Sequence, residues 1–568
     1  MSRVVVLTMW TLLTSCAACF CFSELDTAWV RHHDYGWVSD LEVDGQGNVY
    51  VLSDVLIKYT ADGDTTVAAG GWTRPSGTAI AVDYQDDVFI VAAESNYGTG
   101  VNFMVRKYNT DGDMLWQSFY GGPDNLDDYP KDVAVDASGN AYVVGTSASL
   151  TTDIDFVTIK YTSDGDTAES AGGWIRRFTD LEYINTNHPL LLCVSETGEA
   201  HVAGTSCPAG SYHTDPFIIK YTASGDTSEA AGGWVRNVRV GTGFGWGSDY
   251  LVAMCLDPDG NVYVAGIDKQ GIPDPQDPYF HLHNYFIAMY TENGLLNWTH
   301  GYGSTTGNDE PTDIAADGFG NVYVTGRSHD DGTSDYDYVT LGYDTDGNPK
   351  CDIRFTGMVG TDDEASALAI DSIGNIYVTG RSTRLNPFYL FDFQYATLKF
   401  VPTTQTPQQE LYYDQWSQGD DAAKFIRIDN HGNIVVTGTS CLSNPVIPCV
   451  SVAVTTIKYS PKSPVSAAEI RDGNRPVYLE LHQNHPNPFN TVTTIQFALT
   501  RSQHVVIEVF DILGRMVTTL VSETLPLGNY STQWDGRDAE GQQVASGVYF
   551  YRLRADDRSI TRKMILLE

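Results

Sequence analysis

Four acid pairs stand just ahead of strand-like segments: Asp127-Asp128, Asp309-Glu310, Asp362-Asp363 and Asp420-Asp421. They recur at one phase of a longer pattern. Carboxylates converging from several segments would offer the six to eight oxygens that Ca²⁺ takes. They would equally well accept backbone N–H bonds wherever one structural unit meets the next. The sequences Asp62 to Asp64, Asp111 to Asp113 and Asp164 to Asp166 look like calcium loops, but they lack a closing Glu and fit hairpin turns. Two acids flanking a sugar would suit glycosidic cleavage, yet nothing singles out two among 72 Asp and Glu. His281 and His283 could share a strand face, without an evident third ligand. HExxH, Gly-x-Ser-x-Gly and a Lys-terminated phosphate loop are all missing from the sequence. No catalytic residue is assigned; the expectation is a non-enzymatic chain without cofactor, Ca²⁺ being the one ion its acids could hold. Trp246, Tyr250, Tyr279 and Phe280 fall in connecting segments, where aromatic rings either stack on sugars or pack.

Of nine cysteines, Cys16, Cys19 and Cys21 lie in or beside the N-terminal apolar stretch. Cys441 and Cys449 bracket a Pro-containing loop and form the candidate disulfide; buried free thiols are the other reading. No CxxC or CxxxC pair exists in the mature region, so a zinc site is not supported. The 568 residues carry 72 acidic against 34 basic side chains, a formal charge of −38. That balance argues against nucleic-acid binding, which needs Lys and Arg to neutralise phosphate. With 42% apolar residues and abundant Tyr, Phe and Trp, there is material for a large core. Beyond the N-terminus no apolar run approaches the roughly 18 residues of a membrane helix.

The elements that would position these side chains come from an internal repeat. Val-Asp-x-x-Gly-Asn-x-Tyr-Val-x-Gly recurs clearly at 135–145, 256–266, 316–326, 370–380 and 428–438, and weakly at 43–53, 82–92 and 194–204. After each comes a strand ending Ile-Lys-Tyr or similar (Tyr59, Tyr108, Tyr161, Tyr221, Tyr290, Tyr343, Phe400, Tyr459). Most run into an Asp-Gly or Asn-Gly turn and then a strand marked by Trp72, Trp116, Trp174, Trp234 or Trp298. Alternation of apolar and polar residues gives the period of two of half-buried strands, and the Gly-containing turns give tight hairpins. Four strands per unit, here called A to D, predict a β-propeller of eight blades; seven is the alternative, because the unit at 82–92 is degenerate.

Tyr459 has no following Trp strand, whereas Ala28-Trp29-Val30-Arg31 precedes the first unit. The N-terminal strand is therefore expected to complete the last blade and close the ring, leaving no open edge. With A innermost, A–B and C–D turns share one face, and D–A and B–C loops the other. The A–B and C–D turns read as short and stereotyped. The B–C loops vary, with 267–285 and 381–395 long, so binding is expected on the D–A/B–C face, which the acid pairs make acidic.

These repeats resemble the SBBP-type bacterial propeller repeats and, more loosely, NHL repeats, over about residues 28–460. The resemblance implies architecture rather than an activity.

Residues 461–478 read as a linker. From 479 to 568, short strand patterns (Thr493 to Leu499, Val505 to Asp511, Gly528 to Trp534, Gly547 to Ala555, Ile560 to Leu567) suggest a small antiparallel sandwich. Its motifs are Asn-His-Pro-Asn-Pro-Phe-Asn from 484, Asp-Ile-Leu-Gly-Arg from 511, Trp-Asp-Gly-Arg-Asp-Ala-Glu-Gly from 534, Val-Ala-Ser-Gly-Val-Tyr-Phe-Tyr-Arg-Leu from 544 and Thr-Arg-Lys-Met-Ile-Leu-Leu from 561. This stretch resembles the C-terminal sorting domain of type IX secretion cargo and the Ig-like domain of flagellar hook-capping proteins. The resemblance implies export through the outer membrane of a Gram-negative-type bacterium, with secretion machinery and outer-membrane components as partners, followed by release or surface attachment. A permanent Ig-like module without a sorting role is the alternative.

Arg3 and the apolar Val4 to Leu13 read as a signal peptide covering residues 1–22. Leu13-Thr14-Ser15-Cys16 also fits the lipobox of bacterial lipoproteins, which would make Cys16 a lipidated first residue. The functional expectation is a secreted or cell-surface binding scaffold for protein or glycan, with residues 24–460 as its propeller. A polysaccharide hydrolase or lyase using the acidic face, and a structural spacer, are the alternatives.

Overall fold

The computed structural model describes residues 25–461 and 479–566, less 35, 97–99, 152, 179–190, 207–214, 239–248, 271–281, 305–306, 330–334, 359, 386–390, 402–405, 414–420, 445–446, 482–483, 485–486, 488, 491, 500–502, 512–514, 526–527, 540 and 556–557. Cys16 and the whole signal segment, Trp246, Tyr279, Phe280, His281, Asp420 and the linker lie outside the described residues, as does the side chain of Cys449. The chain divides into two compact units, Met1–Pro464 and Val465–Glu568, each described by itself.

In the first unit the described strands form eight four-stranded antiparallel sheets. Seven follow chain order; their innermost strands are Asp40–Val43, Ala79–Val82, Asp128–Val135, Leu191–Val194, Tyr250–Leu256, Asp309–Ala316 and Asp363–Ile370. The eighth runs Ala422–Ile428, Ile434–Asn444, Ile447–Pro461 and then Leu25–Asp34. The first and last segments of the propeller thus share one blade, with Val30 opposite Ile457. Each innermost strand neighbours the next, and that of blade 8 returns to that of blade 1, so the ring closes with eight blades. The degenerate unit at 82–92 is a full blade: Asp86 takes the left-handed turn position (φ 64°), and Asp87 replaces Asn, its charge met by Lys107 at 3.0 Å.

The repeat signature is the wiring of the A–B turn. In blade 3, Asp136 Oδ1 accepts the amides of Ser138 (2.9 Å) and Asn140 (3.0 Å). Its Oδ2 accepts from the Asn140 side chain (2.8 Å) and the Tyr142 hydroxyl (3.1 Å). Asn140 Oδ1 then accepts the Ser163 amide from the C–D connection, tying the two turns together. The same set recurs around Asp44 and Asp257. Such side-chain acceptors fix tight turns by replacing missing backbone partners.

Tryptophan joins neighbouring blades. The indole N–H of Trp29, Trp72, Trp116, Trp174, Trp234 and Trp298 donates to a carbonyl in the next blade's C–D connection, at 2.9–3.1 Å. Two residues on, Arg74, Arg176 and Arg236 donate to the glycine carbonyl of that same connection (2.6–2.8 Å). Gly225 shows why that glycine is required: φ is +78°, and a Cβ would come within 2.8 Å of the Trp174 ring. Cys351 occupies the tryptophan position in blade 6 and Gln409 in blade 7. Gln409 grips the closing strand instead, accepting the Leu25 amide (2.9 Å) and donating to its carbonyl (3.0 Å).

One expectation about loops is corrected. C–D connections in blades 1, 3 and 4 are not short: each carries a 3-10 turn, at Val67–Ala69, Glu169–Ala171 and Glu229–Ala231. In the two long B–C connections strand pairing reaches Gln270 with Leu282 and Leu385 with Phe391 among the described residues.

The second unit pairs a three-stranded sheet (Leu479–Leu481, Thr493–Leu499, Gly528–Trp534) with a four-stranded one ordered Met516–Leu525, Gln503–Asp511, Gly547–Ala555, Arg558–Leu566. Its core includes Phe497, Ile507, Trp534, Tyr551 and Met564. The Asn-Pro segment docks on the final strand: Asn487 Oδ1 accepts the Ile565 amide (2.8 Å), and the Phe489 amide donates to the Ile565 carbonyl (3.0 Å).

Candidate functional site

The acid pairs begin as turn chemistry. Asp128, Asp309, Asp363 and Asp421 occupy equivalent places at the start of the innermost strands and are fully buried. Asp309 accepts the amides of Ser304 (2.5 Å) and His329 (3.0 Å) and the Ser328 hydroxyl (2.5 Å). Asp363 likewise takes Gly357 (2.7 Å) and Thr383 (3.2 Å), Asp128 takes Gly122 (2.7 Å), and Asp421 takes Cys441 (3.0 Å). One residue earlier, exposed Asp127 and Asp362 accept amides from the preceding blade, Val101 (2.9 Å) and Tyr336 (3.1 Å). These carboxylates clip the D–A connection to the neighbouring strands. Burial pushes the Asp363 carboxyl up to about 6.

The expected single phase of the pairs is corrected by this equivalence. Asp309-Glu310 matches Asp363-Glu364, one residue later than Asp362-Asp363. On the D–A/B–C face Asp54, Asp127 and Asp362 are exposed. Among the described residues, exposed carboxylates crowd the opposite face, on the C–D connections: Asp62, Asp64, Asp111, Asp113, Asp164, Asp166, Asp226, Glu292 and Asp346. Among the described residues no group of three or more His, Cys, Asp or Glu is placed to hold a metal ion.

What the D–A/B–C face does carry is a ladder of alternating charge across blades 5, 6 and 7. His283 Nδ1 lies 2.8 Å from Glu310 Oε1. Arg327 donates from Nε (3.1 Å) and Nη2 (2.7 Å) to Glu310 Oε2, and from Nη1 to Glu364 Oε1 (2.7 Å) in the next blade. Arg381 closes the row on Glu364 Oε2 from Nε (3.0 Å) and Nη2 (2.7 Å). Both guanidiniums lie over rings, Arg327 at 4.8 Å from Tyr336 and Arg381 at 4.2 Å from Phe393. The five side chains keep between a fifth and a third of their surface exposed. The His283 contact and the Arg327 charge hold the Glu310 carboxyl down at about 2, so it stays an anion over the working pH range.

Sequence reading singled out Glu310 but missed Arg327, Glu364 and Arg381. The signal was present: two adjacent units read Gly-Arg-Ser (326–328, 380–382) where others read Gly-Thr-Ser (145–147, 204–206, 438–440). Register pairs Glu310 with Arg327 and Glu364 with Arg381 across strands A and B, so the acid and base replacements are cross-strand partners.

Cys441 takes part in a disulfide, while Cys193, Cys255 and Cys351 are free thiols. No helix among the described residues is long and apolar enough to cross a membrane.

The β-propeller repeat family SBBP matches residues 120–150 and 297–332, and the FlgD Ig-like domain family matches residues 489–559. The chain thus carries SBBP repeats followed by a FlgD Ig-like domain. No curated protein matches it. Similar solved structures include PorZ, an essential bacterial surface component of the type-IX secretion system of Porphyromonas gingivalis (13% identity, 94% of this chain and 81% of that chain covered, TM-score 0.22). Others are the polysaccharide lyase Uly1 (12%, 71% and 92%, TM-score 0.38) and the β-propeller domain of the Trilobed protease from Pyrococcus furiosus (8%, 71% and 96%, TM-score 0.33).

Proposed function

We propose that this chain is an exported, non-enzymatic binding scaffold that takes a protein or glycan ligand on the D–A/B–C face of its propeller. Its C-terminal Ig-like module serves export and attachment at the outer surface of a Gram-negative-type bacterium, engaging secretion and outer-membrane components. The observation that carries the binding reading is the ladder from His283 to Arg381. It appears only where the repeats depart from their own pattern, and it sits between B–C connections with aromatic faces beside it. Glycan and envelope-protein binding should be measured for the full chain and for R327T/R381T, which restores the threonine of the other units. Lost binding with an unchanged circular dichroism spectrum supports the site. Equal binding by the variant moves the ligand elsewhere, and failure of the wild type to bind either class leaves a spacer.

One observation favours a second reading, cleavage of polysaccharide. His283 is held by a carboxylate that remains ionised, beside an arginine, and an imidazole so placed can accept a proton. Release of reducing or unsaturated ends from polysaccharides by the wild type but not by H283A would establish this reading over the first.

A further inference from the structure

We propose that His201 makes the seam between blades 4 and 5 open in acid. His201 stands where blades 1, 3, 5, 6 and 7 have Tyr50, Tyr142, Tyr263, Tyr323 and Tyr377. The whole A–B turn of blade 4 has changed with it: Ser195 replaces the turn aspartate, and Glu199 replaces the asparagine. The tyrosines of blades 1, 3, 5 and 7 donate to that aspartate. Ser195 instead takes the Glu199 amide (3.0 Å) and pairs with Thr197 (2.9 Å), and offers His201 no carboxylate.

The imidazole is 1% exposed, and neither ring nitrogen has a hydrogen-bond partner among the described residues. It lies 6.0 Å from the Trp234 ring. That tryptophan fastens blade 4 to blade 5 through the Glu292 carbonyl (2.9 Å), with Arg236 on the Gly294 carbonyl (2.7 Å). The charged groups around it are Lys220 on its own third strand, Glu199 on its own turn, and Glu292 of blade 5. Lys220 is paired with Glu199 (3.1 Å) and reaches Glu292 (3.8 Å). The turn carboxylate of blade 5, Asp257, is taken up by Asn261 and Tyr263 of its own blade.

A proton added here would be a buried cation without an acceptor, next to an ammonium. Burial, then the Lys220 charge, lower the His201 pKa to about 3 from an ordinary 6.5. The folded form is thus the poorer proton binder. Stability is full above pH 6.5 and is lost as pH falls from 6.5 toward 3. In blades with tyrosine at this place no such loss occurs in that window, because a phenol does not titrate there.

Hydrogen exchange on the full chain tests this, with rates corrected for intrinsic pH dependence. Each pH unit below 6.5 favours the open, protonated seam tenfold. Amides of 200–206, 215–221 and 234–237 are expected to lose about 15-fold in protection between pH 6.5 and 5, while blade 3 amides at 141–149 and 174–178 hold theirs. H201Y and H201F should both abolish the difference, the first as the residue the fold uses elsewhere should the second misfold. Unchanged protection of blade 4 in the wild type, or an equal loss in a folded variant, would overturn the proposal.

Discussion

Aspartate is used in this chain in three ways that share one physical principle: a carboxylate is retained where several N–H or O–H donors converge on it. Asp136 gathers two amides, an asparagine and a tyrosine hydroxyl, and Asp309 gathers the donors of a D–A connection. Replacing Asp136 by Ala strands these donors at a buried turn, at a cost of roughly 2–4 kcal/mol. The denaturation midpoint should drop at unchanged m-value, whereas D62A on an exposed connection should leave it within about 0.5 kcal/mol of wild type. Glu310 shows the opposite titration from buried Asp363. Its folded pKa of about 2 lies below the ordinary 4.5, so its contribution to stability is present above pH 4.5 and is lost as pH falls toward 2. E310Q should therefore be less stable than wild type at pH 7 and approach it near pH 2, as read from urea midpoints across that range.

Between elements, the carboxylates Asp40, Asp132 and Asp313 perform a further task. Each sits on an innermost strand, and Asp40 and Asp313 accept an amide from the next one, Ile80 (3.0 Å) and Leu368 (2.9 Å). Burial, with the neighbouring Asp40 charge, raises the Asp132 carboxyl to about 7. A folded pKa above the ordinary value gives stability at low pH that is lost as pH rises from about 4 to 7. D132N, neutral at every pH, should accordingly gain on the wild type as pH rises through that window, most simply seen as a difference in melting temperature at pH 4 and pH 8. None of this was legible from composition: Asp132 and Asp136 look alike in sequence, and only the strand register tells the seam residue from the turn residue. Blade count, strand order and ring closure were legible, because Val-Asp-x-x-Gly-Asn and the tryptophans are themselves the turn wiring and the seam fastening. In the C-terminal unit the motifs marked most strands, but Met516–Leu525 escaped notice, its Thr- and Ser-rich pattern being that of an edge. The charge ladder escaped because a single unit shows only an ordinary Arg and Glu. Their meaning comes from comparing eight units and pairing positions across strands.

For the whole molecule, charge and closure act against each other. Residues 465–568 carry ten Lys and Arg against twelve Asp and Glu, so 36 of the 38 net negative charges fall in residues 1–464. Self-repulsion on that scale opposes a compact ring, and the ring is completed by one N-terminal strand. That strand is held from three directions: along Ala453 to Pro461 of its own blade, by Gln409 of blade 7, and by Trp29 and Arg31 reaching the C–D connection of blade 1. A chain beginning at Asp40 loses all of these together. It should melt well below the parent, with blades 8 and 1 losing exchange protection first, and it should self-associate through the uncovered edge of Ile447–Pro461. Salt separates the two forces. Between about 10 mM and 150 mM NaCl the screening length falls from roughly 30 to 8 Å, so the propeller transition of the intact chain should move upward in a calorimetric scan. The transition of the nearly neutral C-terminal unit should stay in place. In the truncated chain salt should relieve repulsion without restoring the seam, leaving a propeller transition that rises with salt yet never reaches that of the parent. Recovery to the parental temperature in salt alone would mean that repulsion, and not the missing strand, had opened the ring.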